Sequence, residues 1–215
     1  MSISWMDVLA GALKFLVRMF WYRSSVPSEF FFPIACDIWT VLCLYWMLSA
    51  LRTEPVRSRE SLGQWLGYVL PLALGLTLLF NPRAHYSWLG MRFAPDTIAV
   101  AVAGIVLTAA GIALAMGARL VLGENWSATV SIRKNQELIR MGPYRIMRHP
   151  IHTGMLLGLL GTAVVVGEVR SLLALVILGL GFYLKARKEE VFLLREFGGG
   201  FEAHAKHTGM FLPRG

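Results

Sequence analysis

Charge is scarce in this sequence. Only 16% of its 215 residues are Asp, Glu, Lys or Arg, against about 25% in an ordinary soluble domain. Apolar residues make up 56%, the mean hydropathy is +0.57, and they fall in long runs. These features exclude a typical soluble globule and point to an integral membrane protein. Cysteine is almost absent. Cys36 and Cys43 sit in one apolar run, seven residues apart, which on a helix separates them by about 10 Å along the axis. That is too far for a disulfide. No glycine-rich phosphate cradle, no nucleophile elbow and no HExxH-type metal spacing occurs, and no Ser or Cys nucleophile can be paired with a base. Asp7, Lys14 and Arg18 interrupt the first apolar run, so no clear signal peptide is expected.

What is present is a series of apolar segments with polar connections. Residues 1–23 read as an amphipathic helix, with Lys14 and Arg18 on one face, that either lies in the interface or spans poorly. Phe30 to Leu51 is a clearer span. Its one carboxylate, Asp37, is expected to reach the headgroups or to face the bundle interior. Arg52 to Glu60 is a charged loop, and Gly63 to Phe80 a span closed by Asn81-Pro82. Arg83 to Pro95 is a loop with the interfacial residues Tyr86 and Trp88. Asp96 is a plausible N-cap for a helix from Thr97 to Met116. Gly104 and the Ala109–Ala115 run give that helix a small surface suited to close packing in lipid.

Arg119 to Pro150 is the longest polar segment. Ile151 to Gly167 and Ser171 to Leu184 then form an antiparallel hairpin around Glu168-Val169-Arg170. The second helix has no breaker at its end. It is expected to continue through Lys185-Ala186-Arg187-Lys188-Glu189-Glu190 to Phe197, where Gly198-Gly199-Gly200 stops it. Such a helix is about 40 Å long, more than the roughly 30 Å hydrocarbon core, so its last turns must stand clear of the membrane. The architecture is therefore an all-α, polytopic membrane bundle of five to six transmembrane helices. It divides into N-terminal helices, 1–118, and a second unit, 119–215.

Fifteen Lys and Arg lie in 52–60, 119–150 and 185–215, and three in 81–95 and 168–170. Alternation of spans puts these groups on opposite sides, and the excess marks the first as cytoplasmic. The net charge of +8 follows from this asymmetry and gives no reason to expect nucleic acid as a partner.

One stretch organises the rest. Gly142-Pro143-Tyr144-Arg145-Ile146-Met147-Arg148-His149-Pro150-Ile151-His152-Thr153-Gly154 joins the polar segment to the hairpin. Pro143 and Pro150 remove backbone donors and bend the chain. Irregular backbone at this depth survives only where protein or water covers it. By topology this hinge meets the overhanging Lys185–Phe197 helix on the cytoplasmic face. The meeting offers Tyr144, Arg145, Arg148, His149 and His152 from one side, and Lys185, Arg187, Glu189 and Glu190 from the other. His149 and His152 are three apart across a proline-perturbed backbone, so no metal is expected there. Mixed charge at a membrane mouth suits a zwitterionic small molecule beside a lipid-like acceptor. The plainer alternative is that Glu189 and Glu190 only pair with Lys185 and nearby cations along an exposed helix.

The order Leu122-Gly123-Glu124-Asn125-Trp126-Ser127, Gln136-Glu137-Leu138-Ile139-Arg140-Met141-Gly142-Pro143-Tyr144, Arg148-His149-Pro150-Ile151-His152-Thr153-Gly154, Glu189-Glu190 before Phe197-Gly198, and Phe211-Leu212-Pro213 resembles the isoprenylcysteine carboxyl methyltransferase family. That family is related to membrane phospholipid methyltransferases. The resemblance covers Leu122 to Pro213. It implies a methyltransferase built from membrane helices, without a Rossmann domain, using S-adenosyl-L-methionine as cofactor in a cytoplasmic pocket. It places the cofactor on Gln136, Glu137, Leu138, Ile139, Tyr144, His149, Pro150, Ile151, His152 and Glu189. Lys185 stands where a basic residue meets the substrate carboxylate, and Arg148 is the second cation that would orient it. The acceptor is lipophilic or lipidated and enters from the membrane lipids. Three positions depart from the family pattern: Gln136 for His, His152 for Tyr and Lys185 for Arg. A carboxylate acceptor is already ionised at neutral pH and needs no base. An amine or thiol acceptor would need one, and His149 or His152 is the candidate. A transporter or scaffold of the same fold is the reading from another class.

Overall fold

The computed structural model describes residues 27–50, 56–59, 61–84, 86–123, 131–133 and 137–214. The amphipathic segment expected at 1–23 and the site residue Gln136 lie outside them. Six helices carry the described chain: α1 (Pro27–Ala50), α2 (Leu62–Phe80), α3 (Ile98–Leu122), α4 (Pro150–Val166), α5 (Val169–Phe197) and the short α6 (Gly199–His207). Two short strands, β1 (Val56–Arg59) and β2 (Ser131–Arg133), pair antiparallel.

Helices α1, α3 and α5 are long and apolar enough to cross a membrane, while the apolar segments Trp65–Phe80 and Pro150–Val166 are shorter. Large apolar side chains such as Phe30, Leu48, Val106 and Val176 lie on the outer surface, as in a helical bundle whose solvent is lipid. Asp37 is also on that surface and does not face the interior.

The seam that sets the bundle is α3 against α4. A Cβ added to Gly111 would lie 2.3 Å from the Gly158 nitrogen, and one on Gly154 would lie 2.6 Å from the Ala115 nitrogen. A Cβ on Gly161 would meet the Thr108 nitrogen at 2.4 Å, and one on Gly104 the Gly161 oxygen at 2.7 Å. Two backbones in contact need small residues at helical spacing on both sides, the device of apolar helices that have no hydrophobic drive in lipid. Buried hydroxyls tie the seam. Thr108 Oγ1 lies 3.4 Å from Thr162 Oγ1, and the Trp39 indole N–H donates to Thr162 Oγ1 at 2.9 Å, bringing in α1. The α4–α5 turn forms as expected: Gly167 ends α4 at φ +67°. Yet the two helices of this hairpin pack mainly on other partners, α4 on α3 and α5 on α2, where Leu72, Ala174 and Leu178 interlock.

The cap of α3 is Thr97, whose side chain accepts from the Val100 N–H. Asp96, expected there, instead accepts from the backbone N–H and the hydroxyl of Ser28 at the start of α1, at 2.9 and 3.0 Å. The helix also runs six residues beyond Met116 and passes through the boundary expected at 118/119. Helix α5 continues to Phe197 and stops at Gly198, φ +48°. Gly199 and Gly200, expected to be part of the stop, open α6.

The connections gather at two ends. β1 and β2 join the 52–60 and 119–150 segments at one end. At the other end the backbones of Arg92 and Glu168 form an antiparallel β-bridge, and the Arg170 guanidinium donates to the carbonyls of Leu78, Leu79 and Asn81, satisfying the end of α2.

Candidate active site

The hinge before α4 is built by its glycine and prolines. Gly142 takes φ +57°, a conformation that favours glycine. Pro143 opens a 3₁₀ turn over Gly142–Arg145, and Pro150 occupies the first turn of α4, where its missing donor does no harm. Between them the chain is held by the C-terminal tail. The Arg148 and His149 N–H groups donate to the carbonyls of Gly209 and Met210 at 2.8 and 3.1 Å, and Gly209 N–H returns to the Ile146 carbonyl. Thr153 Oγ1 donates to the Phe211 carbonyl at 2.7 Å. The tail is thus a strap across the hinge, and the Phe211 ring sits 6.1 Å from the His149 ring and 6.4 Å from that of His152.

His149 and His152, one turn apart, are both buried. Their rings stack at 5.3 Å between centroids and 8° between planes. Two carboxylates of α5 face them. His149 Nδ1 is 3.3 Å from Glu189 Oε2 and its Nε2 is 3.3 Å from Glu190 Oε1. His152 Nε2 stands 3.9 Å from Glu189 Oε1, and its buried Nδ1 has no partner. Lys185, one turn before Glu189, puts Nζ 3.6 Å from Glu189 Oε1 and lies over the Tyr68 ring at 5.9 Å. Arg148 Nε donates to Glu190 Oε1 at 2.6 Å, and its Nη1 donates to the carbonyls of Ala205, at 3.2 Å, and Thr208.

Burial alone would lower the pKa of His149. Hydrogen bonds to Glu189 and Glu190, and the charges of both, outweigh it and raise the pKa above the ordinary imidazole value. Tyr144 is pushed well above the usual phenol range, first by burial and then by the charge of Glu189, with Arg119 opposing. It therefore remains a neutral donor.

The structure brings together Tyr144, Arg148, His149, His152, Lys185 and Glu189. Pro150 and Ile151 are buried in the first turn of α4, and Ile139 packs with the cluster of Ala118, Tyr144 and Ile151. Leu138 is half-buried and Glu137 exposed. Three features were not foreseen. Glu190 is as engaged as Glu189. Arg148, expected to orient a carboxylate substrate, is bonded to Glu190 and to the C-terminal segment. The strap itself has no signature in sequence beyond Phe211-Leu212-Pro213. His149, His152 and Glu189 also offer three metal-donor atoms within 4.8 Å of one another. The local spacing of the two histidines gave no hint of this, because the third donor comes from another helix.

The helical bundle with paired imidazoles and carboxylates at one mouth lies largely within the part of the chain that is similar to known proteins. Residues 99–199 match the family described as phospholipid methyltransferase. The protein-S-isoprenylcysteine O-methyltransferase of Schizosaccharomyces pombe is 29% identical over 103 residues, 46% of this chain and 44% of its own. The chain is thus similar to isoprenylcysteine and phospholipid methyltransferases over just under half of its length. It is also similar to the cobalt-zinc-cadmium resistance protein CzcN of Cupriavidus metallidurans, 32% identical over 73% of this chain and 65% of that protein. The nickel-cobalt-cadmium resistance protein NccN of Alcaligenes xylosoxydans xylosoxydans is 28% identical over 73% of this chain and 66% of its own length. The chain spans just under two thirds of the length of these two relatives.

Proposed function

We propose that the chain transfers a methyl group from S-adenosyl-L-methionine to a lipophilic acceptor, in first place the carboxylate of an isoprenylcysteine-like lipid, at the cytoplasmic lip of the bilayer. One observation carries this reading: the Glu189 carboxylate stands among His149, His152 and Lys185, where the proline-bent hinge meets the last long helix.

The residues fit the donor. Glu189 is a partly buried carboxylate able to pair with an ammonium group. The unpartnered Nδ1 of buried His152 offers a hydrogen-bonding atom, and Tyr144 and Ile139 supply apolar walls. When bound, S-adenosyl-L-methionine supplies the electrophilic methyl. The residues do the rest. Lys185 exchanges its contact with Glu189 for the acceptor carboxylate and orients it. His149 stays fixed between Glu189 and Glu190 and holds the carboxylates in place. The Phe211 strap and the apolar seam exclude water, which raises the reactivity of a desolvated carboxylate and holds it in line. Arg148 acts as a positioning residue for Glu190 and the strap. Residues 119–215 carry the chemistry on the frame of the earlier helices, and the acceptor tail enters from the lipid.

Titration calorimetry of the purified protein with S-adenosylhomocysteine tests the donor, and Glu189→Ala is expected to abolish the heat. A protein that binds no donor product, or binds it unchanged in the variant, is a transporter or scaffold on this fold. A radiolabelled methyl assay on prenylcysteine analogues and membrane lipid extracts tests the acceptor. Lys185→Ala is expected to raise KM strongly for a carboxylate and little for a phospholipid amine.

A further inference from the structure

A second ligand chemistry is built into the same mouth. His149 Nδ1, His152 Nε2 and the Glu189 carboxylate converge from two helices. His149 Nδ1 lies 3.3 Å from Glu189 Oε2, His152 Nε2 lies 3.9 Å from Glu189 Oε1, and one donor atom from each of the three residues lies within 4.8 Å of the others. Small side-chain shifts bring this spacing to the roughly 3.3 Å edge of a tetrahedron with metal–ligand bonds of about 2.0–2.1 Å. The rings are parallel, with His149 at the cap and His152 in the first turn of a proline-started helix.

The surroundings are also those of a metal ligand. The other nitrogen of His149 faces Glu190, and Arg148 holds Glu190 in turn. A carboxylate behind a ligating imidazole selects the tautomer that leaves the front nitrogen free to bind, and it is a regular accompaniment of zinc-bound histidine. His152 has a buried Nδ1 with no partner, and its Nε2 lies beyond hydrogen-bond reach of Glu189. Its packing therefore leaves both nitrogens of that ring available to a ligand. Among the described residues the cation in the way is Lys185, 3.6 Å from Glu189 Oε1, and the Tyr68 face offers its ammonium another resting place.

We infer that His149, His152 and Glu189 form a three-donor site for a borderline divalent ion, zinc or cobalt(II), with a fourth position open to water. Two imidazoles and one carboxylate match the preference of such ions over magnesium or calcium, which take oxygen. The inference concerns the same residues as the methyl-transfer reading but does not rest on it. It requires that Lys185 yield its place beside Glu189 and that the ion replace the direct contact between His149 and Glu189.

Cobalt(II) is the probe, added to full-length, tag-free, chelator-stripped protein in detergent. The expected result is one equivalent bound, with the visible absorption of a tetrahedral site. His152→Gln should weaken binding at least tenfold while far-UV circular dichroism and elution volume stay as in the wild type. Lys185→Met should strengthen it several-fold, because a competing cation is gone. A wild-type protein without the tetrahedral spectrum, or a spectrum that survives His152→Gln, overturns the site. Should the variant not fold, zinc-edge X-ray absorption of the wild-type protein decides. Two imidazoles and a carboxylate oxygen support the site, and thiolate sulfur in the inner shell refutes it. None of these readouts needs a methyl donor, and S-adenosylhomocysteine calorimetry is run separately, so either reading can fail alone.

Discussion

Adding one methyl group at Gly111 should loosen the whole bundle. In Gly111→Ala the new Cβ would lie 2.3 Å from the Gly158 nitrogen, 2.5 Å from the Gly154 oxygen and 2.8 Å from the Gly158 Cα. All three are backbone atoms, so no side chain can swing aside. To restore ordinary contact α3 and α4 must part by about 1 Å, and a gap of that size forfeits a quarter to a half of the dispersion energy across the seam. The Thr108–Thr162 contact at 3.4 Å and the Thr108 bond to the Gly158 carbonyl at 3.3 Å also stretch. Overpacking of this kind costs about 1–3 kcal/mol. The matched control is Gly117→Ala on the same helix, where a Cβ meets nothing within 4 Å and the gain in helix propensity is about 0.5–1 kcal/mol. That gain is common to both substitutions and cancels, so the two variants should differ by the overpacking cost of about 1–3 kcal/mol, roughly 5- to 140-fold in the unfolding equilibrium at 1.4 kcal/mol per decade. Titration of each purified variant with sodium dodecyl sulfate, followed by tryptophan fluorescence, measures that gap. Because Gly154 lies two residues beyond His152, the shift should also draw His152 from Glu189 and weaken S-adenosylhomocysteine binding. If Gly111→Ala unfolds at the same detergent fraction as Gly117→Ala, close backbone packing is not what holds α3 to α4.

Two further outcomes follow from the site. Arg148→Ala takes from Glu190 its shortest partner, leaving it His149 and Arg187, and frees the Ala205 and Thr208 carbonyls. It should cost about 3 kcal/mol, the scale for removing one partner of a buried pair, and speed proteolysis within 199–214; Arg148→Lys should restore the charge but not the fork, and equal cleavage of wild type and Arg148→Ala would dismiss the strap. The His149 pKa is raised on folding, so its stabilisation is fully present below the unfolded value near 6.5 and is lost as pH rises through the folded value above it. Stability measured in chelator should fall as pH rises from about 6.5, and His149→Gln should remove that slope; parallel profiles for the two proteins would contradict the pairing of His149 with both glutamates.

Much of the frame could be read from residues that act locally. Asn81-Pro82 closes α2 because proline cannot continue the helix, and Gly167 and Gly198 end α4 and α5 because each takes a positive φ that favours glycine. Gly104 and the alanines of α3 announced a close seam. The partner side, Gly154, Gly158 and Gly161, was equally small, but nothing local said which helix it would meet. Asp96 failed as a cap for the same reason: its carboxylate is taken by Ser28, 68 residues earlier, and Thr97 takes the local role. Arg148 and Phe211 owe their positions to a tail that folds back onto the hinge through backbone hydrogen bonds, which leave little trace in composition.

The meeting of His149 with Glu189 is an intermediate case, and helix arithmetic shows how far it can be foreseen. Helix α4 rises about 25 Å from its turn to His149, and α5 rises about 30 Å from the same turn to Glu189, at 1.5 Å per residue. Antiparallel helices joined by a tight turn must therefore bring the two to nearly the same height. Rotation is what the arithmetic leaves open, since consecutive residues differ by about 100° around a helix. The structure resolves it by using both members of the Glu pair. Glu189 turns toward His152 and Lys185, Glu190 toward Arg148, and His149 lies between them, one ring nitrogen on each. A single carboxylate at either position would leave one imidazole nitrogen or one guanidinium without its partner. Exchanging the order of functions, by Glu189→Gln against Glu190→Gln, should thus separate them: the first should weaken ligand binding at the mouth, and the second should release the strap that closes it.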